Sequence, residues 1–420
     1  MAFAQPLPDR LRLRIFPQAP LGGGVPRLET ITVSPRAGSV GPGPSDRWMY
    51  TIEAPGKRPY KPDRTPAMPP WRGATAAPAM PSRQGHFDHL LPGDPGFRAV
   101  HLYGCARFAL DVWEDYLGAP VAWHFARHFQ RLELVALEDW PNAHMGYGYL
   151  EAGQRRVGRT VADYALNFDV IAHEIGHGLM MAFAGRVRPD RVTGDYEALH
   201  EASADWAAMI ASLHLGTVVE ELLESTRGDL DGANRLNRFA ELSSTRQIRM
   251  ANNRRTMWDF VRGWSSEHEI AQPLLAALFD AFVETYKEIL VRHGAIPRAL
   301  DDLADMAERD PAWRGRVRAG FARAYARHPE RFHAAVAEAR AIAATVMVGV
   351  WRRAEPDRFR LRDMGPILAE IDLAQFGGEL RPIVMGCLAR RGIGIVPLGP
   401  RLRPPGRDSH LHSERTMGIE

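Results

Sequence analysis

Cysteine is nearly absent from this sequence. Its two residues, Cys105 and Cys387, lie far apart in a 420-residue chain. Two cysteines cannot form a disulfide framework or a cysteine-rich zinc module. Lysine is scarce as well: almost all of the 53 basic residues are arginine, a skew we read as genomic composition. The formal net charge is only +3, so bulk electrostatics imply no nucleic-acid surface. Long apolar runs are also missing. The opening stretch MAFAQPLPDRLRLRIF is broken by Pro6, Pro8, Asp9, Arg10, Arg12 and Arg14, which leaves no apolar signal core. The most apolar run, Ala341 to Trp351, falls short of the roughly 20 residues that a bilayer requires. Arg352 and Arg353 follow it directly, and it reads as a buried helix. The expectation is a protein with no membrane span and a cytoplasmic location, with signal-free export left open.

What is present is an ordinary soluble composition, 45% hydrophobic and 25% charged. The length exceeds the needs of one core, so two or more lobes are expected. Residues 1–97 are rich in Pro and Gly, with short β-prone pieces such as LETITVS and WMYTIEA. They read as an irregular, strand-containing packing arm; a Pro-rich ligand for another protein is the other reading. From Val100 the pattern becomes helical. VHLYGCARFALDVWEDYLG repeats apolar residues at helical spacing and stops at Gly118. RLELVALEDW reads as a strand, and PNAHMGYGYLEAG as short strands with turns. DYALNFDVIAHEIGHGLMMAFAG and DYEALHEASADWAAMIASLHLG read as helices. Arg-rich loops follow to Trp264, then a long helix containing Pro273, then a mostly helical region to Gly394 and a tail that reads as extended or disordered.

The chemistry concentrates in HEIGH, residues 173–177. On a helix, residues four apart share a face, so His173 and His177 can direct imidazole nitrogens at one ion. Glu174 lies about 100° round the helix. It is better placed to reach a water on that ion than to ligate, which suits a general base. Asp169 sits one turn before His173 and could orient a histidine ring. Gly176 and Gly178 are costly inside a helix and imply close packing or early fraying. The next helix carries Glu197, Glu201 and Asp205 as a stripe without interspersed Lys or Arg. One of these carboxylates would complete a two-His, one-Glu catalytic set.

DVIAHEIGHGL followed by HEASAD resembles the thermolysin-like metallopeptidases of the gluzincin group. The resemblance covers roughly residues 98–295. It implies Glu201 as third zinc ligand and Asp205 as the partner that orients His173. His200, Ser203 and Ala204 depart from the family's Asn-Glu-Ala-x-Ser-Asp pattern. The family's usual spacing falls on Glu197, but only Glu201 has an Asp one turn later. WPNAHMGYGY resembles the family's substrate-binding edge strand, which implies Asn142 and Ala143 as substrate-binding residues. SEHEIAQPLLAALFDAF resembles the segment whose helix-start histidine stabilises the oxyanion, here His268. The family's anchoring arginine would correspond to Arg235 or Arg238. The calcium-binding acidic cluster of the secreted members has no counterpart. His328, His333, His410 and His412 read as surface histidines.

The fold expected from the resemblance is α+β: a two-lobed zincin core with a strand-containing arm and a mostly helical C-terminal region. The expected segments are an arm (1–97), an N-terminal lobe with the HExxH helix (98–185), a C-terminal lobe with the third ligand (186–296), and a helical extension with a tail (297–420). The implied function is a zinc-dependent endopeptidase that hydrolyses peptide bonds of a peptide or protein substrate through a metal-activated water. Two other readings stand beside it: a catalytically restricted zincin-fold scaffold and a zinc aminopeptidase. No Gly-x-Met-Glu-Asn-type motif for grasping a free amine is found.

Overall fold

A computed structural model describes residues 9–18, 27–60, 68–157, 160–231, 238–239 and 249–402. The molecule is mixed α and β. Strands β1 (Arg10–Ile15) and β2 (Glu29–Arg36) pair antiparallel. Both alternate buried and exposed residues, so Leu11, Leu13, Ile15, Ile31 and Val33 turn inward. Next come β3 (Met49–Glu53), helix α1 (Phe97–Leu117) and β4 (Leu132–Ala136). Helix α1 ends where Gly118 takes the left-handed conformation, φ 73°, a frequent helix stop.

Strands β5 (Ala143–Met145) and β6 (Tyr149–Ala152) complete a four-stranded sheet of order β3-β4-β6-β5. Its three inner pairings differ in sense: β3, β4 and β6 run parallel, and β5 is an antiparallel edge. The Pro/Gly-rich segment therefore contributes β3 to this sheet. A small hairpin, β7 (Gln154–Val157) and β8 (Thr160–Asp163), follows.

The remainder is mostly helical, with one short antiparallel pair at Arg238–Phe239 and Arg249–Met250. Helices α2 (Phe168–Phe183) and α3 (Gly194–Ser212) pack on each other more extensively than any other pair of elements. Gly176 makes this possible: a Cβ there would lie 2.8 Å from Ala204 Cα and 2.9 Å from Ala207 Cβ. Close packing, rather than fraying, accounts for that glycine. Helix α4 (Gly216–Thr226) occupies part of the stretch expected to be Arg-rich loop. Helix α5 (Glu267–Arg292) is the long helix with Pro273 near its start, as expected. Then follow α6 (Arg298–Arg309), α7 (Arg314–Arg327), α8 (Pro329–Arg353), α9 (Met364–Phe376) and α10 (Arg381–Arg390).

Helix α8 contains the apolar run Ala341–Trp351. By length and composition it could cross a membrane, but more than half of its most apolar window is buried inside the protein. Trp351 is fully buried with its ring 4.7 Å from that of Trp113. One apolar cluster takes in residues from all four expected segments, among them Leu13, Trp113, Trp206 and Trp351. This shared core seats α2 and α3 between the sheet and the C-terminal helices.

Candidate metal centre

Helix α2 starts at Asn167, whose side-chain oxygen accepts the Val170 N–H, a standard helix cap. A separate short turn, Tyr164–Leu166, is capped by Asp163. That turn explains why the helix starts later than its apolar pattern suggests. His173 and His177 follow on one face, buried, with ring centroids 4.5 Å apart. Helix α3 is capped by Thr193 and brings Glu201 and Asp205 to the same place.

His173, His177 and Glu201 each offer a ligand atom, all within 4.8 Å of one another. Glu201 Oε2 lies 3.7 Å from His173 Nε2, and Oε1 lies 3.7 Å from His177 Nε2. These separations are too long for hydrogen bonds. Two donors sharing a tetrahedral ion at about 2.1 Å sit roughly 3.4 Å apart. The donor set and its spacing therefore fit a tetrahedral metal ion. Glu197 is engaged differently. Its two oxygens lie 2.9 and 3.0 Å from Arg401 Nη1, and it takes no part in the ligand group.

Asp205 Oδ1 lies 2.8 Å from His173 Nδ1. That contact leaves Nε2 as the nitrogen facing Glu201, so the arrangement fixes both tautomer and ring direction. Asp169 lies in the first turn of α2, where a negative charge suits the helix dipole. Burial first, and the charge of Asp169 second, push the nearby Cys105 thiol up.

Glu174 is buried, and one of its oxygens accepts the Met145 N–H at 2.7 Å. This bond joins HEIGH to the edge strand. Asn142 O accepts from Gly153 N, and Gly146 N donates to Tyr149 O. These two residues thus pair with β6, and antiparallel alternation turns the peptide groups of Ala143 and Met145 to the outer edge. Asn142 is half-buried beside them. His268 stands at the start of α5, where Ser266 caps the helix. Its Nδ1 is 2.7 Å from Glu201 Oε2.

Several neighbours carry no sequence signal. His200 is fully buried and stacks on His177 (centroids 4.3 Å, 27°) and on Tyr196. Neither of its ring nitrogens has a hydrogen-bond partner. Burial chiefly pulls its pKa down to about 4; Glu201 opposes this and His173 adds to it. His124 is held at about 3 by burial, then by Arg186 and His200. Both rings are neutral at ordinary pH, and His200 backs His177 without adding charge. Arg235 and the side chain of Arg238 lie outside the described residues, as do His410 and His412. His328 and His333 are half-buried on the C-terminal helices and belong to no metal-sized group among the described residues. A cavity of about 510 Å³, lined by Asp229, Asp280, Glu284, Arg314 and Arg391 among others, shares no residue with the metal centre.

Comparison with protein-family models and with curated proteins gives no match. Among solved structures, the chain is similar in outline to the precursor of protealysin, a metalloproteinase from Serratia proteamaculans. The two share 10% sequence identity at a TM-score of 0.45, over 86% of this chain and 90% of that one.

Proposed function

We propose that this chain is a zinc-dependent endopeptidase. The observation that carries the reading is the convergence of three ligand atoms within 4.8 Å, on buried residues, beside a glutamate bonded to a sheet edge. His173, His177 and Glu201 would hold the ion. When bound, zinc supplies Lewis acidity that polarises a peptide carbonyl and acidifies water. Glu174 takes the proton from the attacking water and returns it to the leaving amine. Its bond to Met145 holds it at the edge where a substrate strand would run. The outward peptide groups of Ala143 and the carbonyl of Met145, whose N–H is taken by Glu174, can pair with an extended peptide as an added strand, with Asn142 flanking it.

His268 would stabilise the oxyanion. A neutral ring that donates Nδ1–H to Glu201 has only an acceptor at Nε2, so this role requires the imidazolium form. The segments 98–185 and 186–296 then act as the two lobes of a zincin core meeting at the metal, within a protein read as cytoplasmic.

The test is activity of purified protein on a peptide library with and without chelator, together with Glu174→Gln. The amide keeps its shape and loses basicity. We expect zinc and fold to be retained and hydrolysis to fall by about 10²–10⁴-fold. Near-normal turnover in that variant would remove Glu174 as the base. No cleavage by wild type across a broad panel would favour a scaffold on the same fold.

A further inference from the structure

We infer that Arg401 is a positioning residue for the metal centre, tying the first turn of α3 to the first residue of α5 so that Glu201 and His268 stay in register. The inference rests on reading His173, His177 and Glu201 as metal ligands. Arg401 Nη1 lies 2.9 and 3.0 Å from the two oxygens of Glu197, and Nη2 lies 3.1 Å from Glu267. Glu197 is one helical turn before Glu201, and Glu267 directly precedes His268. The Glu201–His268 contact at 2.7 Å closes the circuit. Glu197 and Glu267 are both buried. A shift of either helix start would therefore be transmitted to a ligand or to its histidine neighbour through one rigid turn.

Arg401 is itself held in place. Its guanidinium lies 4.4 Å from the Trp264 ring centroid. Trp264 N donates to Pro400 O, Leu402 N to Trp264 O, and Trp264 Nε1 to Gly399 O. Trp264 and Leu398 also press on Gly194 at the start of α3, where an added Cβ would lie 2.8 Å from the indole. The 398–402 segment is thus wedged between the elements that carry Glu201 and His268. A guanidinium can serve two carboxylates at once through its planar fork; an ammonium is a point charge and cannot reproduce that geometry.

The test uses Zn²⁺ itself, measured by competition with a chromophoric chelator, and the visible absorption of Co²⁺-loaded protein as a signature of ligand geometry. Two variants are compared in the full chain. Arg401→Met combined with Glu197→Gln removes the cation and its main counter-charge together. Arg401→Lys keeps the charge and loses the fork. Metal-affinity losses for groups that orient ligands run about 10–100-fold. We expect the paired variant to take up one zinc at saturation, with Kd raised about tenfold and an altered Co²⁺ spectrum, and Arg401→Lys to fall between it and wild type. A lowered Tm with unchanged Kd and spectrum would show a merely structural contact and overturn the inference. If the paired variant does not fold, wild-type affinity in Arg401→Lys overturns it alone. A wild-type protein that binds no zinc would instead overturn the metal reading beneath it.

Discussion

The two sides of edge strand β5 both bury carboxylates, and they resolve them differently. On the His144 side, Glu151 meets the Lys57 ammonium, the Tyr60 N–H at 2.9 Å and His144 Nε2 at 2.7 Å. Its neighbour Glu133 accepts from the Tyr50 and Tyr60 hydroxyls and from Trp71 N. Lys57 also sits 3.3 Å over the Tyr60 ring. The chain supplies the cation, and the network closes on itself. On the Met145 side, Glu201 faces two imidazole nitrogens at 3.7 Å, a gap that an ion from outside the chain would fill. Burial of a carboxylate is therefore not what marks a site. The distinguishing feature is a donor set spaced for an ion instead of for hydrogen bonds.

The largest effect should come from breaking the closed side. Lys57→Met leaves Glu151 buried without its cation, a change typically worth about 3–5 kcal/mol. We expect the urea midpoint to fall accordingly while zinc content stays at the wild-type level. Glu201→Gln should behave in the opposite way, losing zinc while metal-free stability changes less than in Lys57→Met, because no cation of the chain is left unpaired. Loss of zinc in Lys57→Met would break the comparison.

A smaller effect comes from a buried histidine remote from both sides. His101 accepts from Phe16 N at 3.0 Å, and its Nδ1 lies 2.8 Å from Ala165 O. Burial pulls its pKa down to about 4, and the two backbone bonds oppose this. The folded pKa is below the 6.5 of an unfolded histidine. The neutral ring's contribution is therefore complete above pH 6.5 and is lost as the pH falls through about 4. The total is about 3 kcal/mol. Urea midpoints measured between pH 7 and 4 in the presence of chelator should show this loss, and His101→Gln should flatten it. An unchanged slope in the variant would place the acid sensitivity elsewhere.

The smallest effect concerns the packing that brings the two ligand helices together. Gly176→Ala forces a Cβ against Ala204 and Ala207, where backbone and a methyl must give way. Overpacking of this kind costs about 1–3 kcal/mol. A gain in stability would show that the α2–α3 contact is looser than the distances indicate.

The parts legible from sequence were those written in local spacing. His173 and His177 are one turn apart on a single helix, and the Glu201–Asp205 pair on the next helix repeats that spacing. The structure brings them together, with Asp205 on His173 as the resemblance, not the spacing, implied. Helix α4 went unread because GTVVEELLEST was grouped with the Arg-rich stretch that follows it. Its apolar positions Val218, Leu222 and Leu223 at helical spacing were the available signal. Strand β3 lies within WMYTIEA, which read as β-prone, but its place in the sheet depends on pairing with β4 some eighty residues later. Arg401 had no local signal: its partner Glu197 is 204 positions away, and only tertiary packing brings the two together.

The most direct test of the central claim is elemental analysis of the purified protein beside His173→Ala. The account predicts close to one equivalent of zinc per chain in wild type and its loss in the variant. Full zinc retention in His173→Ala, or no zinc in a wild-type protein prepared with the metal present, would contradict it.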